Sequence, residues 1–156
     1  EKPNVQFVFI GDGSLWEKLT RRVETLQVAE KVHFLGYQST NVIKAFLSVA
    51  SVVWIPMSGY VVFEAAAFSA PMIVFDVEWH HEFISNEITG LLVENRNYRK
   101  MAEAAIRMLN DPMLARRCGE RAQRKLIEEY NPETLKEKEI RIYEKILDKF
   151  SMRQQN

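Results

Sequence analysis

The stretch SVVWIPMSGYVVFEAAAFSAPMIVFD, Ser51 to Asp76, decides the fold. Ser51-Val52-Val53-Trp54-Ile55 and Pro71-Met72-Ile73-Val74-Phe75 are short apolar runs rich in β-branched and aromatic residues, as strands covered on both faces are. Between them the chain reads as a short helix, apolar almost all round, opened by Ser58-Gly59. Strand, helix and strand in this order predict a parallel pair joined by a crossover. One residue breaks the pattern. Glu64 stands in the middle of the apolar run, and a carboxylate buried there needs hydrogen-bond donors.

The same alternation continues in both directions. Upstream, Val5 to Ile10 reads as a strand, Gly11-Asp12-Gly13 as a turn, and Ser14 with Glu17 as an S-x-x-E capping box on a helix to about Ala29. Val32 to Leu35 is a second strand ended by Gly36, and Ser39 to Val49 a helix with Val42, Ile43, Phe46 and Leu47 inward. Downstream come a short helix over His80 to Ser85 and a strand over Gly90 to Val93. Three helices follow: Tyr98 to Leu109, one opened by Asp111-Pro112 and running to about Tyr130, and one opened by Asn131-Pro132. The last spaces Leu135, Ile142, Tyr143, Ile146, Leu147 and Phe150 at helical intervals. The expected fold is α/β, a Rossmann-like parallel sheet with helices on both faces and C-terminal helices, forming one domain over residues 1–156.

Composition bounds the function. The 156 residues are 47% hydrophobic and 27% charged, with net charge zero. That is a globular composition with no overall pull toward nucleic acid. The one cysteine, Cys118, forms no intrachain disulfide, which fits a cytoplasmic location. No apolar run approaches the ~20 residues that span a bilayer. The chain enters a strand at its start, which predicts that it is cut from a longer polypeptide.

Ligands of such sheets bind at the carboxyl ends of the strands, near helix N-termini. Gly59, Tyr60 and Val61 fall in a first helical turn, where backbone N–H groups lack intrahelical acceptors and suit a diphosphate. Glu64, about one turn further on, can accept both hydroxyls of a ribose. An exposed Glu64, or one paired with a neighbouring Arg or Lys, is the plainer reading. Gly11 and Gly13 serve a tight turn or make a minor ligand contact; Trp16 stands where a dinucleotide fingerprint needs its third glycine. After Gly36, Tyr37 and Gln38 offer a ring and backbone groups to a flat base, or simply form a loop. In Asp76 to Phe83, Glu78, His80, His81 and Glu82 match no zinc spacing, so no metal is expected, and one histidine, His80, is a minor pocket contact. Ser58, another minor contact, lacks the G-x-S-x-G elbow of a hydrolase nucleophile. The charge-rich stretch Arg116 to Lys149 reads as the solvated face of packed helices.

The ordered set FVFIGDGSLWEKL, VHFLGY, VVWIPMSGYVVFEAAAFSAPMIVFDVEWHHEFI, ITGLLVEN and MAEAAIRMLNDP resembles the C-terminal, donor-binding half of GT-B retaining glycosyltransferases of the glycogen synthase and mannosyltransferase-like group. The likeness runs from about Val5 to Tyr143. It implies donor diphosphate binding by Gly59, Tyr60 and Val61, ribose binding by Glu64, and base binding by Tyr37 and Gln38. The donor implied is a UDP-, GDP- or ADP-sugar, with no metal cofactor and no identifiable protein nucleophile. The partner implied is an N-terminal acceptor domain, braced by a terminal crossing helix over residues 132–150. Two departures stand out. Pro56 occupies the place, eight residues before the ribose acid, where the family usually has a second acid that touches the donor sugar. The family's diphosphate-neutralising Arg and Lys would lie upstream of this chain.

Three other readings remain at this level: a nucleotide-sugar epimerase domain, a non-catalytic transferase-like binding module, and a receiver-like domain, for which Asp12 and Asp76 alone make no acidic cluster. An unpaired sheet edge and an uncovered apolar face also predict self-association, through that face or by exchange of the C-terminal helix.

Overall fold

The computed structural model describes residues 5–57 and 59–153. The chain divides into two compact units, one ending at Phe46 and the other beginning at Leu47.

The first unit carries β1 (Phe7–Phe9), α1 (Trp16–Thr25), a 3-10 turn (Ala29–Lys31) and β2 (Val32–Phe34), and then enters α2 (Thr40–Val49). β1 and β2 pair in parallel, Phe7 opposite Val32 and Phe9 opposite Phe34. β1 is shorter than expected, and its three side chains are partly exposed, Phe9 at 45%. The expectation that this strand is covered on both faces does not hold within the unit. Among the described residues β2 is its only strand partner, and no described residue before Leu47 is fully buried.

The capping box does not form either. The N-cap is Leu15 in helical conformation, with no side-chain cap bond, so Ser14 stands one residue too early. Trp16 donates instead to the Gly13 carbonyl at 3.0 Å. α1 ends at Thr25 rather than Ala29 because Gln27 turns left-handed, φ 55°. Val28 then donates to Val23 and Gln27 to Glu24, closing the helix end in a Schellman pattern.

The second unit holds the core. β3 (Val53–Ile55), β4 (Met72–Asp76) and β5 (Leu91–Glu94) form a parallel sheet in that spatial order, with β4 central. α3 (Val61–Ala67) and α4 (His80–Phe83) sit in the connections; α5 (Tyr98–Asn110), α6 (Pro112–Glu129) and α7 (Pro132–Arg153) follow. Met72, Ile73 and Val74 are completely buried and Phe75 nearly so. Burying each such side chain stabilises by roughly 1.5–3 kcal/mol. Ile73 and Phe75 join Leu91, Val93 and the inward residues of α5 and α6, Met101, Ala105, Met108, Leu114, Ala115 and Cys118. The pleat turns Met72 and Val74 to the opposite face.

Side-chain caps define the helix starts that the sequence marks. Asp111 accepts from the Leu114 N–H at 2.9 Å, and Asn131 from the Thr134 N–H at 2.9 Å. Asn97 caps α5 in the same way, accepting from the Lys100 N–H at 3.1 Å. α6 crosses the residues after α3 at very short range. A β-carbon on Gly119 would stand 1.9 Å from the Ser69 carbonyl oxygen, so only glycine permits this approach. α7 leaves Leu135, Ile142, Tyr143, Ile146 and Phe150 exposed, as the sequence led one to expect. No described helix is long and apolar enough to cross a membrane.

Two stability changes follow from these contacts. Gly119→Ala is expected to lower stability by at least 1–3 kcal/mol, as overpacking does, read as a drop of several degrees in Tm. Asp111→Ala is expected to cost about 1 kcal/mol in urea unfolding, with Asp111→Asn closer to the unsubstituted protein.

Candidate functional site

In the second unit the loops after β3 and β4 leave the same end of the sheet, because Ile55 and Val74 are register partners in parallel strands. The first loop carries the glycine that the sequence singles out. Gly59 lies before the helix rather than in its first turn, for the N-cap is Tyr60. The earliest bonds of the turn are donated by Val62 to Gly59 and by Phe63 and Glu64 to Tyr60. The amides of Gly59, Tyr60 and Val61 precede these donors and, among the described residues, have no intrahelical acceptor. A β-carbon on Gly59 would meet nothing within 4 Å, so the approach to this backbone is open. Tyr60 is 82% exposed and Met57 76%. Ser58 lies outside the described residues.

Glu64 corrects an expectation. It is exposed, and α3 is not apolar all round. The helix buries Val62, Ala65 and Ala66, the i, i+3, i+4 set. Glu64 stands about 200° around the axis from Val62, on the opposite side. Its carboxylate therefore needs no internal donor and is open to an external one.

The loop after β4 is tied to α3 by aromatic rings. Phe63 stacks on Trp79, centroids 5.0 Å apart and planes 11° from parallel. Phe63 also meets Phe83 edge-on at 5.1 Å and Tyr130 at 5.5 Å. Lys125 of α6 donates to the carbonyls of Glu82 at 2.7 Å and Phe83 at 3.0 Å, and its ammonium lies 5.6 Å from the Phe83 ring centre. α3, α4 and α6 thus share one cluster whose members come from three separate stretches of chain. Sequence reasoning missed it, since no local spacing reveals rings that meet only in the folded state.

The two adjacent histidines part company. His80 is fully buried, and its Nδ1 lies 2.7 Å from the Phe75 carbonyl. A carbonyl only accepts, so Nδ1 carries a proton; among the described residues Nε2 meets no hydrogen-bond partner. His81 is the open one, its Nδ1 3.2 Å from Asp76 Oδ1. Between Asp76 and His80, Glu78 adopts φ 48°, a left-handed conformation unusual for a residue with a β-carbon. Among the described residues no three of His, Cys, Asp and Glu gather as metal ligands.

In the first unit, the Gly11 N–H donates to the Gly36 carbonyl at 2.8 Å and the Gly13 N–H to Asp12 Oδ1 at 2.7 Å. Gly11 (φ 133°) and Gly36 (φ 66°) use glycine's freedom for this turn. Both glycine amides of the GDG turn are thereby engaged within the unit. Tyr37 is 87% exposed, with its ring free of stacking partners among the described residues. The Gln38 side chain donates to the Leu35 carbonyl at 2.6 Å, which fixes its amide plane.

Comparison with known proteins agrees with this fold. The chain is 28% identical over 142 residues to the poly(ribitol-phosphate) alpha-N-acetylglucosaminyltransferase of Staphylococcus aureus, covering 89% of the chain and 29% of that protein. It superposes on the G117R mutant of S. aureus TarM, solved in complex with fondaparinux, alpha-GlcNAc-glycerol and UDP, with a TM-score of 0.81 at 26% identity, covering 91% of this chain and 29% of TarM. It also shares its fold with the C-terminal domain of a glycosyl transferase group 1 family protein (LpcC) from Francisella tularensis. There the TM-score is 0.74 at 19% identity, over 85% of this chain and 73% of that one. The chain thus spans less than a third of the first two relatives and has the Rossmann-like architecture of the C-terminal half of a GT-B glycosyltransferase. Residues 1–125 match the family described as glycosyl transferases group 1, and the chain belongs to that family.

Proposed function

We propose that this chain is the donor-binding part of a retaining glycosyltransferase that transfers a hexosyl group from a nucleoside-diphosphate sugar to an acceptor. The observation that carries the reading is the open backbone at Gly59, Tyr60 and Val61 with the exposed carboxylate of Glu64 about one turn on, in a chain of this family. Free amides suit the diphosphate, and Glu64 accepts from the two ribose hydroxyls. TarM, a relative in fold and sequence, is solved with UDP, which supports a nucleotide donor. Tyr37 and Gln38 are the residues proposed to read the base. The family match favours transfer over epimerisation.

The chemistry proposed is positional and electrostatic. Amides fixed at Gly59 to Val61 stabilise the negative charge that grows on the departing diphosphate, and they reorganise little while doing so. Donor and acceptor held in line supply the rest. The acceptor is assigned to an N-terminal domain of the native polypeptide, with residues 132–150 bracing it. No metal cofactor is assigned, and a cytoplasmic location is proposed. Exposed apolar residues on α7 support self-association of the chain when it is isolated.

Glu64→Ala in the native full-length polypeptide tests the site. Losing an ionised acceptor of two hydroxyl bonds is expected to weaken nucleotide binding roughly 10- to 100-fold in calorimetric titration. Tm should stay within about a degree, because the side chain is exposed and plays no part in the core. An unchanged Kd overturns the reading. The 156-residue chain alone is expected to bind nucleotide weakly, to transfer nothing, and to sediment as more than a monomer as concentration rises. Turnover by that chain with UDP-, GDP- or ADP-sugars would show that it needs no acceptor domain.

A further inference from the structure

The outer face of α6 carries a row of unpaired guanidinium groups. Arg117, Arg121 and Arg124 are exposed and spaced i, i+4, i+7. On a helix they lie within about 60° of arc, along about 10 Å of axis. Among the described residues none of the three has an ion pair or a hydrogen-bonded side-chain partner.

The acids nearby are already committed. Glu120 is tied to Arg116 at 2.7 Å, and Glu87 to Arg107 of α5 through both oxygens, at 2.7 and 2.8 Å. Asp111 caps α6. Arg107, by hydrogen bond and charge, holds the Glu87 carboxyl below its usual range, and Arg117 adds to this. Burial raises the pKa of the Cys118 thiol, and the charges of Arg117, Arg121 and Arg107 all oppose it. The positive field of α6 therefore runs on to α5. Glu128, one turn beyond Arg124, is the acid left on this face, against three arginines.

Apolar side chains accompany the charge. Met113, one turn before Arg117, and Ile127, just under one turn after Arg124, are both exposed. The other side of α6 buries Leu114, Ala115, Cys118, Gly119 and Ala122, so the arginine face stays outward. Guanidinium groups grip phosphate with two donors at once, and methionine and isoleucine gain by leaving water. A convex helix face offers no cleft to a small anion. It suits a broad surface with phosphates outside and hydrocarbon beneath. Single-stranded nucleic acid shares the phosphates but is held by stacking on aromatic rings, and α6 contains none.

We propose that this face of α6 docks the protein on an anionic phospholipid bilayer, with Arg117, Arg121 and Arg124 on lipid phosphates and Met113 and Ile127 entering the headgroup region. The proposal does not depend on the donor site proposed above.

The test pellets the native full-length polypeptide with vesicles of phosphatidylcholine alone, or of phosphatidylcholine and phosphatidylglycerol in equal parts. Binding is expected to the anionic vesicles only, and to fall as NaCl rises from about 0.1 to about 0.5 M. A guanidinium near an anionic surface contributes about fivefold, so the combined variant Arg117→Gln, Arg121→Gln, Arg124→Gln is expected to bind about a hundredfold more weakly. Its Tm should stay within about two degrees, because the three side chains are exposed and unpaired. Lysine at the same three positions keeps the charge and is expected to retain binding within about tenfold. Met113→Ser with Ile127→Ser is expected to weaken binding severalfold. The assignment is overturned if the unsubstituted protein ignores the anionic vesicles or binds both kinds equally, or if the glutamine variant binds as well as it does. Unchanged binding after the two serine substitutions, or tighter binding of poly-glutamate or a single-stranded oligonucleotide than of the vesicles, would assign the face to a soluble polyanion instead.

Discussion

The burial of β4 is the constraint on which the second unit depends. Met72, Ile73, Val74 and Phe75 have almost no exposure, and the strand has a parallel neighbour on each side. A strand so placed needs apolar side chains on both faces of the pleat. Its backbone groups are satisfied by β3 and β5, and its carboxyl end is therefore held firmly. The loops after β3 and β4 emerge at that end of the sheet.

Aromatic stacking extends the order beyond the sheet. Phe63, Trp79, Phe83 and Tyr130 join α3, the loop after β4, α4 and the end of α6 into one cluster. Lys125 adds a charged donor on the last carbonyls of α4, where a helix end favours a cation. α3 has only seven residues, too few to be stable alone. Its direction, and with it the place of Glu64, is set by these packed neighbours and by the close approach of Gly119 to Ser69.

The chemistry at the strand ends divides by exposure. His80 is buried and fastens the loop to Phe75, whereas His81 and Asp76 pair at the surface. Glu64 and Glu78 face solvent, so neither bears the desolvation cost that burial would impose. An exposed acid near open amides is suited to a ligand with hydroxyls at one end and phosphates at the other. That pattern is what makes a nucleoside-diphosphate sugar the natural reading in a glycosyl transferases group 1 chain.

Local chemistry determined much of this by itself. The apolar runs placed the five strands found among the described residues, and Asp111-Pro112 and Asn131-Pro132 marked two helix starts correctly, because these signals act within a few residues of chain. Gly59 was recognised as open backbone for the same reason. Other features were decided only by the tertiary structure. Ser14 and Glu17 carry a capping signature that the actual N-cap, Leu15, leaves unused. Glu64 looked buried within an apolar run, yet α3 turns Val62, Ala65 and Ala66 inward and Glu64 away. Which of two adjacent histidines is buried, and which rings stack on Phe63, depend on contacts between residues far apart in sequence. Periodicity reports which residues can share a face; only packing chooses which face is covered.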